Sequence, residues 1–300
     1  MRSAVALPLV PLVLALATAC TGAAAGDLEL KVGGAFGAKP TIVFPDGKPS
    51  AELQVDELAT GKGARLGADD VAIVQYTAHV WDGRENRLID SSFNRGTPAA
   101  FPVGKLLPGL DRALQGRTVG SRVIAAIPPG EGFGVNPPQG IEPGDDLFYV
   151  VDILGAHPKN ASVKGDGGTL AGVRVGGGPP PGLSVPAGPP PRRFAFKVLD
   201  RGSGPRTQAG QLLVTQYEGA IWNQRRIFDA TWTTGRPKAF KIGDGSVIKG
   251  WDQALVGVPV GSRVLMIVPP SHGYGAAGHR TFGIGAADTL VFVVDVLAAY

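Results

Sequence analysis

Apolar positions along the chain fall mostly into short, strand-like runs. Gln211-Leu212-Leu213-Val214-Thr215-Gln216-Tyr217 is rich in β-forming residues and bounded by turn residues, as are 263–268 and 290–297. Each run predicts a strand. A helical period follows Gly250, where Trp251, Ala254 and Leu255 stand at i, i+3 and i+4 on one apolar face until Gly257 stops the run. Several antiparallel strands with one short helix predict an α+β fold in which a sheet wraps the helix.

The pattern occurs twice. Val119-Gly120-Ser121-Arg122-Val123 returns as Val260-Gly261-Ser262-Arg263-Val264, Pro128-Pro129 as Pro269-Pro270, and Gly132-Phe133-Gly134 as Gly273-Tyr274-Gly275. Val150-Val151-Asp152 comes back as Val293-Val294-Asp295 after a small change of offset. A period this long means a duplicated domain, because solenoid repeats run at ~20–50 residues. Even the lead-ins match, Val32-Gly33-Gly34 with Val175-Gly176-Gly177. The expected plan is an arm at 20–50, domain 1 at 51–158, a Gly/Pro-rich linker at 159–192 and domain 2 at 193–300. Proline runs such as Pro179-Pro180-Pro181 stiffen a spacer, although the matching lead-in means that part of it can be a strand of domain 2.

Composition adds limits. The 300 residues carry 29 basic and 25 acidic side chains, a net charge of +4, with the bases scattered and no basic stripe, so no nucleic-acid partner is expected. A single cysteine excludes an internal disulfide, so the cores must hold the fold. Residues 1–19 read as a signal peptide, with Arg2 ahead of an apolar run that is interrupted by Pro8 and Pro11 and too short to span comfortably. No later segment approaches 18 apolar residues. Cys20 sits at the cleavage position, and the segment resembles a bacterial lipobox with Leu16 one place early. That resemblance implies an acylated Cys20 and an extracytoplasmic protein held to the membrane only by its lipid.

Domain 2 carries, in order, Phe228-Asp229, Phe240-Lys241-Ile242-Gly243, Val247-Ile248-Lys249-Gly250-Trp251, Gly273-Tyr274-Gly275 and Thr289-Leu290-Val291-Phe292. Each is weak alone; in this order and spacing they resemble an FKBP-type peptidyl-prolyl cis-trans isomerase over about a hundred residues. The resemblance implies two tandem FKBP-like domains, each an antiparallel sheet wrapped around one short helix. It also implies one apolar site with no metal. Catalysis would fall to Tyr217, Phe228, Asp229, Trp251, Tyr274 and Phe292. Phe240, Val247, Ile248, Phe282 and Ile284 would bind substrate. The implied partners are proline-containing polypeptides and FKBP-type macrolides. The chemistry suits such residues, since X–Pro rotation breaks no bond and needs no nucleophile. His272 and His279 fall in Gly-rich surroundings, are expected in an exposed loop and stay outside the chemistry.

Domain 1 departs at the pocket. Ile89 stands for Phe228, Leu110 for Trp251, Phe133 for Tyr274 and Tyr149 for Phe292, while Tyr76, Asp90, Phe101 and Leu107 match. Domain 2 departs elsewhere, with Lys238 where the family often has an aromatic and no arginine at the usual distance after Asp229, Arg236 being close. The expected function is isomerisation of X–Pro bonds in exported proteins by domain 2. Its rivals are a non-catalytic proline-segment binder or holdase chaperone, and a purely structural envelope lipoprotein.

Overall fold

The computed structural model describes residues 30–44, 47, 49–81 and 85–300. The expected signal peptide at 1–19 and Cys20 lie outside the described residues. Among those residues no helix is long and apolar enough to cross a membrane.

Each repeat builds one six-stranded antiparallel sheet. Domain 1 begins with the small hairpin β1 (Lys31–Gly33) and β2 (Thr41–Val43), then β3 (Gln54–Ala59), β4 (Val71–Trp81) and β5 (Asn86–Ser91). It continues through α1 (Ser92–Arg95), β6 (Ala99–Pro102), α2 (Pro108–Leu114), β7 (Arg122–Ile127) and β8 (Asp146–His157). The segment 159–192 contains the three-stranded sheet of β9 (Gly168–Leu170), β10 (Val173–Val175) and β11 (Leu183–Ser184). Domain 2 follows with β12 (Ala195–Asp200), β13 (Leu212–Ile221), β14 (Arg226–Ala230) and β15 (Lys238–Lys241). It closes with α3 (Lys249–Leu255), β16 (Arg263–Val268) and β17 (Leu290–Ala299). The sheets share one topology: β3-β7-β8-β4-β5 with β6 also on β4, and β12-β16-β17-β13-β14 with β15 also on β13.

The inner face of each sheet packs on its seven-residue helix. Leu110, Ala113 and Leu114 of α2 meet Tyr76, Val123, Ile127 and Tyr149; Trp251, Ala254 and Leu255 of α3 meet Tyr217, Val264, Met266 and Phe292. Burying each large apolar side chain contributes about 1.5–3 kcal/mol. The helices lie close because their second residue is glycine. A Cβ on Gly109 would stand 2.5 Å from an Ile127 methyl, and one on Gly250 would stand 2.9 Å from a Val268 methyl.

The outer faces are covered too, which explains the near-continuous apolar runs of β8, β16 and β17. Over domain 1, Leu30, Val32, Ile42 and Phe44 of the arm pack on Trp81, Ile124, Phe148 and Val150. Over domain 2, Leu170, Val173, Val175 and Leu183 pack on Leu265, Ile267, Val291 and Val293. A further apolar patch on the outer side of each sheet meets the other sheet. Val71 and Ile73 of β4, with Leu154 and Ala100, join Leu212 and Val214 of β13, with Leu297 and Ala239, in one cluster. These are corresponding positions of the two repeats, so the contact is isologous, as in a two-fold dimer. The equivalent His157 and Tyr300 meet across it at 2.8 Å.

A buried ion pair fastens each arm. Arg122 bonds Asp152 through Nε at 2.5 Å and Nη2 at 2.7 Å, and its other N–H groups donate to the carbonyls of Gly34 and Ala38. Arg263 repeats this with Asp295, donating also to Gly176, Gly177 and Val163. Both side-chain pairs are at most 2% exposed. Removing one partner strands a buried charge, at a cost of about 3–5 kcal/mol. Arg263→Ala is therefore expected to lower the stability of domain 2 by about that amount in urea unfolding. Limited proteolysis of this variant should cut first within 163–185; a variant as stable and as resistant as wild type would refute the clamp.

Candidate functional site

Domain 2 holds a cleft of about 470 Å³ between its inner sheet face and α3. The helix start sets the floor. Asp252, in the first turn of α3, accepts from the backbone N–H of Gly243 at 2.6 Å and of Gly245 at 2.9 Å. A carboxylate there also suits the helix dipole. This fastens the loop that delivers Val247 and Ile248 to the cleft rim and turns Trp251 into its base.

Trp251 is 4% exposed and boxed by aromatic rings. Tyr217 from β13, Phe240 from β15 and Phe292 from β17 lie 5.3, 5.2 and 5.5 Å away by ring centroid, all near-perpendicular. Edge-to-face contacts of this kind are worth ~0.5–1.5 kcal/mol each beyond area burial. Phe228 extends the wall, 5.6 Å from Phe292 and 5.4 Å from Phe282. Both rings cross directly over Gly219, where a Cβ would stand 2.8 Å from Phe228 and from Phe292. Domain 1 has Ala78 at that position, next to Ile89 instead of a phenyl ring.

The polar groups sit at one side. The Tyr217 hydroxyl donates to Asp229, and Lys238 Nζ lies 3.2 Å from the same hydroxyl. Burial, and then the Asp229 hydrogen bond, push the Tyr217 phenol far above its usual value. Tyr274 is also raised, by burial and then by Asp229, so its hydroxyl keeps its proton and can donate to a carbonyl in the cleft.

The structure thus brings together Tyr217, Phe228, Asp229, Trp251, Tyr274 and Phe292, and with them Phe240, Val247, Ile248 and Phe282. Ile284 stands apart from the lining. It is 6% exposed in the domain core, and its backbone pairs with His279 across the loop. The lining also includes Gly245, Ser246 and Lys238, which the sequence motifs do not single out as site residues. The two histidines are half-buried rather than exposed. His279 stacks on Phe282 at 4.4 Å and meets Tyr274 edge-on at 5.0 Å, behind the cleft wall; His272 stacks on Phe194 at 5.0 Å.

Domain 1 has a smaller cavity of about 370 Å³ that overlaps the equivalent place. Ile89, Asp90, Phe133, Ile141 and Tyr149 line it, and Leu110 does not. Tyr149 packs over Tyr76 at 6.3 Å, and burial pushes its phenol up to about 12. This repeat thus keeps part of the cleft wall without the tryptophan floor.

Comparison with known proteins agrees with this architecture. The family model for FKBP-type peptidyl-prolyl cis-trans isomerase matches residues 63–154 and 204–297, more than half of the chain. An FK506-binding protein of Streptomyces anulatus is 40% identical over 104 residues, 35% of this chain and 84% of the relative. The peptidyl-prolyl cis-trans isomerase FKBP10 of Homo sapiens is 26% identical over 257 residues, 84% of this chain but only 38% of the relative. Among solved structures, FkpA from Escherichia coli is 28% identical and matches 38% of this chain and 52% of its own, with a TM-score of 0.34. The chain belongs to the family of FKBP-type peptidyl-prolyl cis-trans isomerases.

Proposed function

We propose that domain 2 catalyses cis–trans rotation of X–Pro bonds in exported polypeptides, and that domain 1 holds peptide without turning it over. The observation that carries this reading is the aromatic box around Trp251 at the base of the domain 2 cleft.

An X–Pro bond is held planar by amide resonance, behind a barrier of ~18–20 kcal/mol, and exchanges unaided in ~10–100 s. A prolyl ring on the Trp251 face would be enclosed by Tyr217, Phe240 and Phe292, while its carbonyl leaves water. Dehydrating that oxygen weakens the charge-separated resonance form, and a cavity shaped for the twisted amide lowers the barrier. Tyr274, protonated at any physiological pH, would donate to a neighbouring carbonyl. Domain 1 lacks the tryptophan and this hydroxyl, which supports a holding role.

Trp251→Leu installs the domain 1 residue and removes the aromatic box. It is expected to lower kcat/KM on a proline tetrapeptide by about tenfold or more. Tyr274→Phe is expected to lower it by about two- to tenfold, the worth of one hydrogen bond. A protease-free fluorescence assay on the full chain, with near-UV circular dichroism to verify folding, reads both. Full activity in folded Trp251→Leu would place the chemistry elsewhere; binding without any exchange in wild type would favour the holdase.

The leader and the position of Cys20 support an extracytoplasmic protein anchored by acylation. Cys20→Ser is then expected to move the protein from the membrane fraction to the soluble one. Unchanged membrane association, or an unacylated Cys20 by mass spectrometry, would contradict the anchor.

A further inference from the structure

Both repeats build a cluster of tyrosine, carboxylate and cation, but they draw the cation from different elements. In domain 1 the Tyr76 hydroxyl donates to Asp90, and Arg95, at the end of α1, supplies the charge. Arg95 Nη2 lies 3.2 Å from the hydroxyl, with the guanidinium 5.5 Å from the ring centroid. In domain 2, Thr234 occupies the place of Arg95. The glycines that follow fix the match, Gly96 with φ 66° and Gly235 with φ 74°. So do the hydroxyls of Ser92 and Thr231, which accept from the N–H of Tyr76 and Tyr217.

The charge comes instead from Lys238 on β15. Its Nζ lies 3.2 Å from the Tyr217 hydroxyl, 3.5 Å from Asp229 and 5.6 Å from the Tyr217 ring centroid. Strand register assigns its counterpart: Lys238 faces Thr215 as Ala99 faces Val74. The duplication has kept a cation on the tyrosine–carboxylate pair while moving its source from a helix end to a strand.

The move has a consequence for the ligand. Lys238 lines the domain 2 cleft, whereas Arg95 does not line the domain 1 cavity. Only two residues of the domain 2 lining are charged, Lys238 and Asp229. The Asp229 side chain is 20% exposed and accepts the Tyr217 hydrogen bond; the Lys238 side chain is 52% exposed. An occupant therefore meets the positive end of the pair. An ammonium has three N–H donors, and Tyr217 and Asp229 engage at most two.

We propose that Lys238 is a specificity-determining residue that makes the domain 2 cleft select proline segments with Asp or Glu next to the proline. The proposal rests on the isomerase reading of that cleft. Its test uses two peptide series on the full chain, one varying Glu, Leu and Lys before the proline and one varying them after it. Affinity is read by calorimetry and exchange by NMR. In at least one series wild type should favour Glu over Lys by about fivefold, the scale of a half-exposed ion pair. This margin should shrink as salt is added. Lys238→Met should abolish the Glu preference, Lys238→Glu should turn it into a Lys preference, and Lys238→Arg should retain it.

A Glu preference that survives in Lys238→Met overturns the proposal. So does an equal loss for all peptides in that variant, which would mean that Lys238 only neutralises Asp229. Exchange without any acidic preference in wild type overturns this proposal and leaves the isomerase intact. Failure of every peptide to bind overturns both.

Discussion

A guanidinium buried against a carboxylate behind each sheet is the constraint on which the rest is arranged. Arg263 and Asp295 are almost wholly out of water, so every N–H of the guanidinium must find an acceptor. The carboxylate supplies two, and the carbonyls of Val163, Gly176 and Gly177 supply the others. Such a pair adds little stability by itself, because desolvation offsets attraction. Its effect is positional. It fixes where the arm crosses the sheet, the arm then covers the outer apolar face, and the inner face becomes a rigid wall for α3 and the cleft. Arg122 and Asp152 do the same in domain 1 through Gly34 and Ala38.

Beside the arms, each outer face carries an apolar patch, and the two patches cover each other through equivalent residues. The sheets thus meet back to back, while the clefts lie on their inner faces. This leaves the two sites free to diverge. Domain 2 has Gly219 beneath two phenyl rings and Trp251 at the base of its cleft; domain 1 has Ala78, Ile89 and Leu110 and a smaller cavity. One exchange alone would leave a poor pocket, since Gly219 matters only because Phe228 and Phe292 pass over it.

Much of this was legible in the sequence because the duplication prints its constraints twice. The Val-Gly-Ser-Arg-Val and Val-Val-Asp repeats carry the two halves of the clamp, a pairing that their separation along the chain conceals. The α3 helix was legible from Trp251, Ala254 and Leu255, and its start falls at Lys249. Segment 159–192 was harder to read. Its glycine and proline content signals a spacer, but Val173 and Val175 alternate inward on a three-residue strand, too short to give a period. At the site, large aromatics announced themselves by order and spacing. Ile284 did not separate from them, since an apolar residue in a loop reads the same whether it faces a cleft or a core. Lys238 was visible only as a departure from a pattern; that it takes over the work of Arg95 depends on strand register, which no linear motif carries.

The central claim is that a single cleft, floored by Trp251, turns X–Pro bonds in a tandem whose other repeat does not. Two-dimensional NMR exchange on a ¹³C-labelled proline peptide, recorded with full-length ¹⁵N-labelled protein, tests it in one sample. The chain has four tryptophans, and of these only Trp251 lines the cleft. The account predicts cis–trans exchange peaks at catalytic protein concentration, with the Trp251 indole signal shifting on titration while those of Trp81, Trp222 and Trp232 stay in place. Exchange with an unmoved Trp251 signal, or a shifted Trp251 without exchange, would contradict it.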